Sequence, residues 1–136
     1  MGYYDQFVDG WVPEQLDLSG DWVVKGLLGP LPVRFLGHLK QFRDTGGGIF
    51  EGSNCFLGRI KTGHYRASIG SSRLDPSLEV ININYDHPDN PWIMRGLVDE
   101  VRFVSDDVLL GRGVYSPHGS KMKPRNIFWF SVTRRG

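Results

Sequence analysis

From Gly20 onward the chain alternates. Apolar residues recur at every second position in short runs, and turn-forming residues divide one run from the next. This predicts strands over 20–28, 33–43, 48–54, 56–62, 64–71, 78–85, 97–105, 108–116 and 126–134. Gly29-Pro30 with Pro32, Asp44-Thr45-Gly46-Gly47, Leu74-Asp75-Pro76-Ser77 and Ser105-Asp106-Asp107 supply turns between them. No helical spacing intervenes between consecutive runs, which disfavours βαβ units and a parallel sheet. Eight or nine short antiparallel strands must close into a barrel or stack as a sandwich.

The strand faces decide between these. In Leu78–Tyr85 one face carries Leu78, Val80, Asn82 and Asn84, and the other Glu79, Ile81, Ile83 and Tyr85. In 97–104 one face carries Leu97, Asp99, Val101 and Phe103, and the other Val98, Glu100, Arg102 and Val104. Neither face is purely apolar, whereas a dry sandwich core alternates more cleanly. An antiparallel barrel of 8–10 strands with a partly polar interior is the expected fold.

Residues 1–17 follow a different rule. Tyr4, Phe7, Val8 and Trp11 fall at helical spacing ahead of Pro13, which reads as a short helix or ordered arm lying on the body. The remainder, 18–136, reads as one barrel domain. At 136 residues the chain is long enough for one sizeable core. Eighteen glycines without a G-x-y period belong to turns, bulges and bends of a β-rich chain. The net charge of +1 argues against a nucleic-acid footprint. Cys55 is the single cysteine, so no intrachain disulfide or cysteine zinc cluster forms. The longest apolar runs fall short of the ~20 residues of a membrane span. The amino terminus lacks a basic start followed by an apolar core, so a soluble cytoplasmic protein is expected.

Gly20-Asp21-Trp22 opens the first strand directly after the arm. This arrangement resembles the lipocalins and the wider calycin group, whose Gly-x-Trp packs its indole across one barrel end. The resemblance implies an arginine over the ring of Trp22, with Arg134 or Arg112 as candidates. The later segments Y-D-H-P-D-N-P-W, V-D-E-V-R-F-V, V-L-L-G-R-G-V-Y and N-I-F-W-F-S-V-T are similar to those of small bacterial proteins with a GXWXG-type opening. Here Gly26 stands one place late. The likeness implies a lipocalin-like fold with an internal hydrophobic cavity and names no reaction. The nitric-oxide-binding haem barrels share this shape but need a histidine near the carboxyl-terminal strands. No histidine follows His118, itself in a Pro/Gly/Lys-rich loop, so neither haem nor another cofactor is expected.

The histidines His38, His64, His87 and His118 show no metal-ligand spacing. Asp99, Glu100, Arg102 and Arg112 form the densest charge group on predicted strands. A hairpin through 105–107 places Glu100 opposite Arg112 and Asp99 opposite Gly113, leaving Asp99 without an evident partner. Inside a barrel such a carboxyl titrates high and can serve as a general acid or base. Asp99 and His38 are the catalytic candidates, and both, with Arg112, are candidates for orienting a ligand. The expected apolar lining is Trp22, Phe35, Phe56, Tyr65, Ile83, Phe103, Tyr115, Phe128 and Trp129.

These features lead to the expectation of a barrel that binds a small hydrophobic or amphipathic molecule. The alternatives are a cyclase or isomerase of a hydrophobic metabolite in the same cavity, and an interaction protein with a packed core. Homodimerisation stays open.

Overall fold

The computed structural model describes residues 2–28, 38–56, 60–117, 119 and 121–135; for 38, 55–56 and 60–62 it describes the backbone alone. A seven-residue helix, α1 (Tyr3–Asp9), precedes eight strands: β1 (Gly20–Leu28), β2 (His38–Gly46), β3 (Ile49–Phe56), β4 (Ile60–Ser71), β5 (Glu79–Asn84), β6 (Leu97–Ser105), β7 (Val108–Tyr115) and β8 (Arg125–Arg134). Each strand pairs antiparallel with the next and β8 returns to β1, so the sheet closes into a barrel without edges. This is compatible with a lipocalin-like fold. A 3-10 turn, η1 (Trp92–Gly96), lies between β5 and β6.

The expectation of separate strands at 56–62 and 64–71 is corrected: one strand runs from Ile60 to Ser71. Ser53 pairs with His64 while Asn54 pairs with Thr62, so Gly63 is an extra residue, with φ +64°. A left-handed φ inside a strand is the signature of a bulge, and glycine adopts it without steric cost. The bulge restores inward parity, so Tyr65 and Ala67 both enter the core. The expected strand over 33–43 is observed from His38, and its earlier part lies outside the described residues.

The inward set is the alternating one: Trp22 and Val24, Phe42, Phe50, Tyr65 and Ala67, Ile81 and Ile83, Val101 and Phe103, Leu109, Phe130 and Val132. Gly111 and Gly113 face inward because rings occupy the space beside them. A Cβ on Gly111 would lie 2.4 Å from the Phe130 ring, and one on Gly113 2.3 Å from the Phe128 ring.

The outer wall is buried too where α1 lies on it. Phe7, Val80, Leu110 and Trp129 form a second apolar cluster there. Trp11 exchanges two backbone hydrogen bonds with Phe103, each 2.9 Å, and Arg102 donates to the carbonyl oxygens of Gly10 (2.6 Å) and Glu79. Both faces of β6 and β7 are therefore covered, which explains why neither face of 97–104 reads as purely apolar. Among the described residues no helix is long and apolar enough to cross a membrane.

Candidate functional site

Trp22 is fully buried, donates its indole N–H to the Leu18 carbonyl at 2.9 Å, and lies beneath the Arg134 guanidinium, 4.3 Å from the ring. With Phe103 edge-on against it at 6.3 Å, it closes one end of the barrel. Of the two arginine candidates, Arg134 takes the position over the indole. At the other ends of the same strands Leu97, Tyr115 and Phe128 are only partly buried. There η1 lies across the wall, with Met94 packed on the core and Ile93 O accepting a 2.7 Å hydrogen bond from the Tyr115 hydroxyl.

Between these ends sits a polar cluster inside the apolar core. Asp99 on β6 is 3% exposed, one inward position deeper than Leu97; Lys40 on β2 is 2% exposed and shares its face with Phe42. Lys40 Nζ donates to Asn54 Oδ1 at 2.8 Å, makes a short contact with Tyr85 Oη and stands 3.5 Å from Asp99 Oδ2. The rings of Tyr65 and Tyr85 lie 4.8 and 5.1 Å from it, which adds cation–π attraction. The Tyr85 hydroxyl donates to Asp99 Oδ2 at 3.0 Å. Among the described residues, Asp99 Oδ1 has no hydrogen-bond partner.

The electrostatics follow from burial. Removal from water raises the Asp99 pKa, against the opposing pull of Lys40 and the Tyr85 hydrogen bond. The same burial lowers that of Lys40, opposed by Asp99, and raises those of Tyr85 and Tyr65. Burial disfavours the charged form of each member of the pair, and their mutual attraction favours it. Such a group can orient a polar ligand or exchange a proton with it.

The expected pairing register is present: Glu100 lies opposite Arg112 and Asp99 opposite Gly113. The expectation that Asp99 lacks a partner is corrected, because Lys40 and Tyr85 reach it across the barrel from β2 and the end of β5. Arg112 and Trp129 are not part of the interior. Both point outward and are buried beneath α1, with the Arg112 guanidinium 4.7 Å from the Phe7 ring and 6.0 Å from Trp129. Arg112 Nε bonds Glu100 Oε1 at 3.0 Å, and Ser72 and the Arg73 N–H complete the carboxylate's partners. The strand parity that puts Asp99 inside puts Glu100 and Arg112 outside.

Trp22, Tyr65, Ile83 and Phe103 belong to the interior core, with Phe128 packed against it and Tyr115 toward the end opposite Trp22. Phe35 lies outside the described residues, and the side chains of His38 and Phe56 do so as well. Lys40, Asn54 and Tyr85 escaped the sequence reading of the site. The available signal was parity: Lys40 is two residues from Phe42, and Tyr85 two from Ile83.

A concavity of about 1000 Å³ is on the outside, lined by polar groups that include Arg43, Arg66, Arg73, His64, His87 and Asn82. The His64 and His87 rings are 5.0 Å apart there, and Glu51 pairs with Arg43 and Arg66. Its exposed ion pairs are worth little energetically, and it is open to water. The interior cluster is the stronger candidate because its charges are desolvated. No group of three or more His, Cys, Asp or Glu side chains suited to a metal occurs among the described residues. In comparisons with known proteins, no family model, no curated protein and no solved structure matches the chain.

Proposed function

We propose that this barrel binds a small hydrophobic or amphipathic molecule in its interior, with the ligand's polar end at Asp99. The observation that carries the reading is the Lys40–Asp99–Tyr85 cluster, held in an otherwise apolar barrel with one carboxylate oxygen unpartnered. A barrel selected only for stability gains more from apolar side chains at such positions, since desolvating an ion pair offsets much of its attraction. Apolar walls supply affinity at ~25 cal/mol per Å² buried, and the few polar groups fix orientation. The likeness of the G-D-W opening and later segments to small GXWXG-type proteins supports the same reading. The single cysteine fits a reducing, cytoplasmic setting.

Titration with an environment-sensitive apolar dye tests it, read by dye emission and tryptophan quenching. Saturable binding that a lumen-filling Val101→Trp substitution weakens is expected, while outer-groove Arg66→Ala leaves it intact. Absence of saturable binding to a folded chain would overturn the reading.

The raised Asp99 pKa beside a phenol and an amine favours a second reading, a cyclase or isomerase of a hydrophobic metabolite in which Asp99 moves the proton. It requires turnover that Asp99→Asn abolishes while dye binding persists.

A further inference from the structure

Building on the lumen-binding reading, we propose that the interior selects an apolar molecule bearing a hydrogen-bond donor at its polar end, a primary alcohol or alkylamine, seated on Asp99 Oδ1, and discriminates against the carboxylic acid of the same chain.

The selectivity comes from how the cluster's donors and acceptors are used. An ammonium has three protons. Those of Lys40 are directed at Asn54 Oδ1, Tyr85 Oη and Asp99 Oδ2. The Tyr85 hydroxyl proton goes to the same Oδ2. The donors of Lys40 and Tyr85 are therefore engaged inside the cluster. What remains is an acceptor, Oδ1, on a carboxyl that is 3% exposed.

The residues flanking Asp99 across the sheet offer it nothing more. Ile83 is its pair on β5 and Gly113 its pair on β7, and the Phe128 ring occupies the space beside Gly113. An unpartnered buried acceptor is destabilising, and a ligand donor satisfies it on binding. An alcohol supplies one donor and an ammonium three. A ligand carboxylate supplies none. It brings a second negative charge against Oδ1 in a desolvated site, where the protons of Lys40 are already directed at other acceptors.

The test is competition for the dye site of the full chain by dodecanol, dodecylamine and dodecanoate, below their aggregation limits. The expected result is that the alcohol and the amine displace the dye at least ~10-fold more tightly than the acid. Asp99→Asn should narrow the gap, because an asparagine amide can also donate to a carboxylate. A second readout uses the unmodified chain: the ¹³C resonance of the Asp99 carboxyl should move on adding dodecylamine and stay in place with dodecane.

Equal displacement by acid and alcohol, or an unmoved carboxyl resonance at saturating amine, would overturn the proposal while leaving apolar binding standing. Failure of every probe, the dye included, would instead remove the lumen-binding reading, and this proposal with it.

Discussion

The hydroxyl of Tyr85 stands between Lys40 Nζ and Asp99 Oδ2, in contact with the first and 3.0 Å from the second. It accepts from the cation and donates to the anion, so charges from opposite sides of the barrel are joined through one neutral group. Desolvation alone drives both ions toward neutrality, and the bridge opposes that tendency. Tyr85→Phe keeps the ring and removes the bridge. It should cost ~1–3 kcal/mol, read as a lower urea midpoint with an unchanged slope. A midpoint equal to that of the unmodified chain would mean the hydroxyl does not hold the pair.

Lys40→Met should make stability strongly pH-dependent. Without the cation, only the Tyr85 hydrogen bond opposes the desolvation that raises the Asp99 pKa. The folded-state value then stands further above the unfolded one of ~3.9. Between those values the folded chain holds a proton that the unfolded chain has released. Stability falls as pH rises from ~4 through the folded pKa, and it recovers on acidification. Near neutral pH the loss should be ~3–5 kcal/mol, because a buried charge is left unpaired. Urea midpoints across mildly acid to mildly alkaline pH measure this. Lys40→Met with Asp99→Asn should be more stable than Lys40→Met alone at neutral pH.

The same pair changes what Asp99→Asn is expected to do. With only Val98, Val101, Gly113 and Val114 in view from the sequence, neutralising Asp99 reads as harmless or stabilising at pH 7. With Lys40 at 3.5 Å, it strands a buried ammonium on neutral acceptors and should destabilise by ~3–5 kcal/mol. Thermal unfolding at neutral pH distinguishes a loss from a gain.

What was legible in the sequence was local. Period-two alternation reported the strands, Ser105-Asp106-Asp107 reported the β6–β7 hairpin, and the register followed by counting. Gly20-Asp21-Trp22 reported the closed end. The interior cluster depends on β2, β5 and β6 facing one another, with 45 residues separating Lys40 from Tyr85. No local pattern carries that relation. Lys40 reads as a solvated residue until closure of the barrel turns its face inward. Arg112 and Trp129 read as interior from the sequence for a related reason: α1 buries an outer face, so an apolar or paired residue there need not point inward.

Trp22→Ala should cost ~3–5 kcal/mol, through the lost aromatic and the cavity left at the barrel end. Arg134→Ala should cost less, ~0.5–2 kcal/mol, because its guanidinium is partly exposed over the ring and its Asp107 partner is largely in solvent. Chemical denaturation of both variants checks the order. A larger loss for Arg134→Ala would place the closure in the cation rather than the indole.

Glu100 and Arg112 make the outer counterpart of the interior pair, and their environment sets a different expectation. Glu100 is 0% exposed and its oxygens accept from Arg112, Ser72 and the Arg73 N–H, so neither oxygen is left over. The guanidinium also faces the Phe7 ring, which ties α1 to the barrel wall. Arg112→Met leaves the carboxylate with two neutral donors and removes the cation beneath the helix. A loss of ~3–5 kcal/mol is expected, with earlier proteolysis in residues 1–17 as the arm loosens. Replacing both partners by apolar residues of similar volume, Glu100→Leu with Arg112→Met, removes the stranded charge. The double variant should recover much of the loss, giving a coupling energy of at least ~1 kcal/mol in a double-mutant cycle. Additive losses would show that each side chain acts through its own packing, and the ion pair would then not be what fastens the arm.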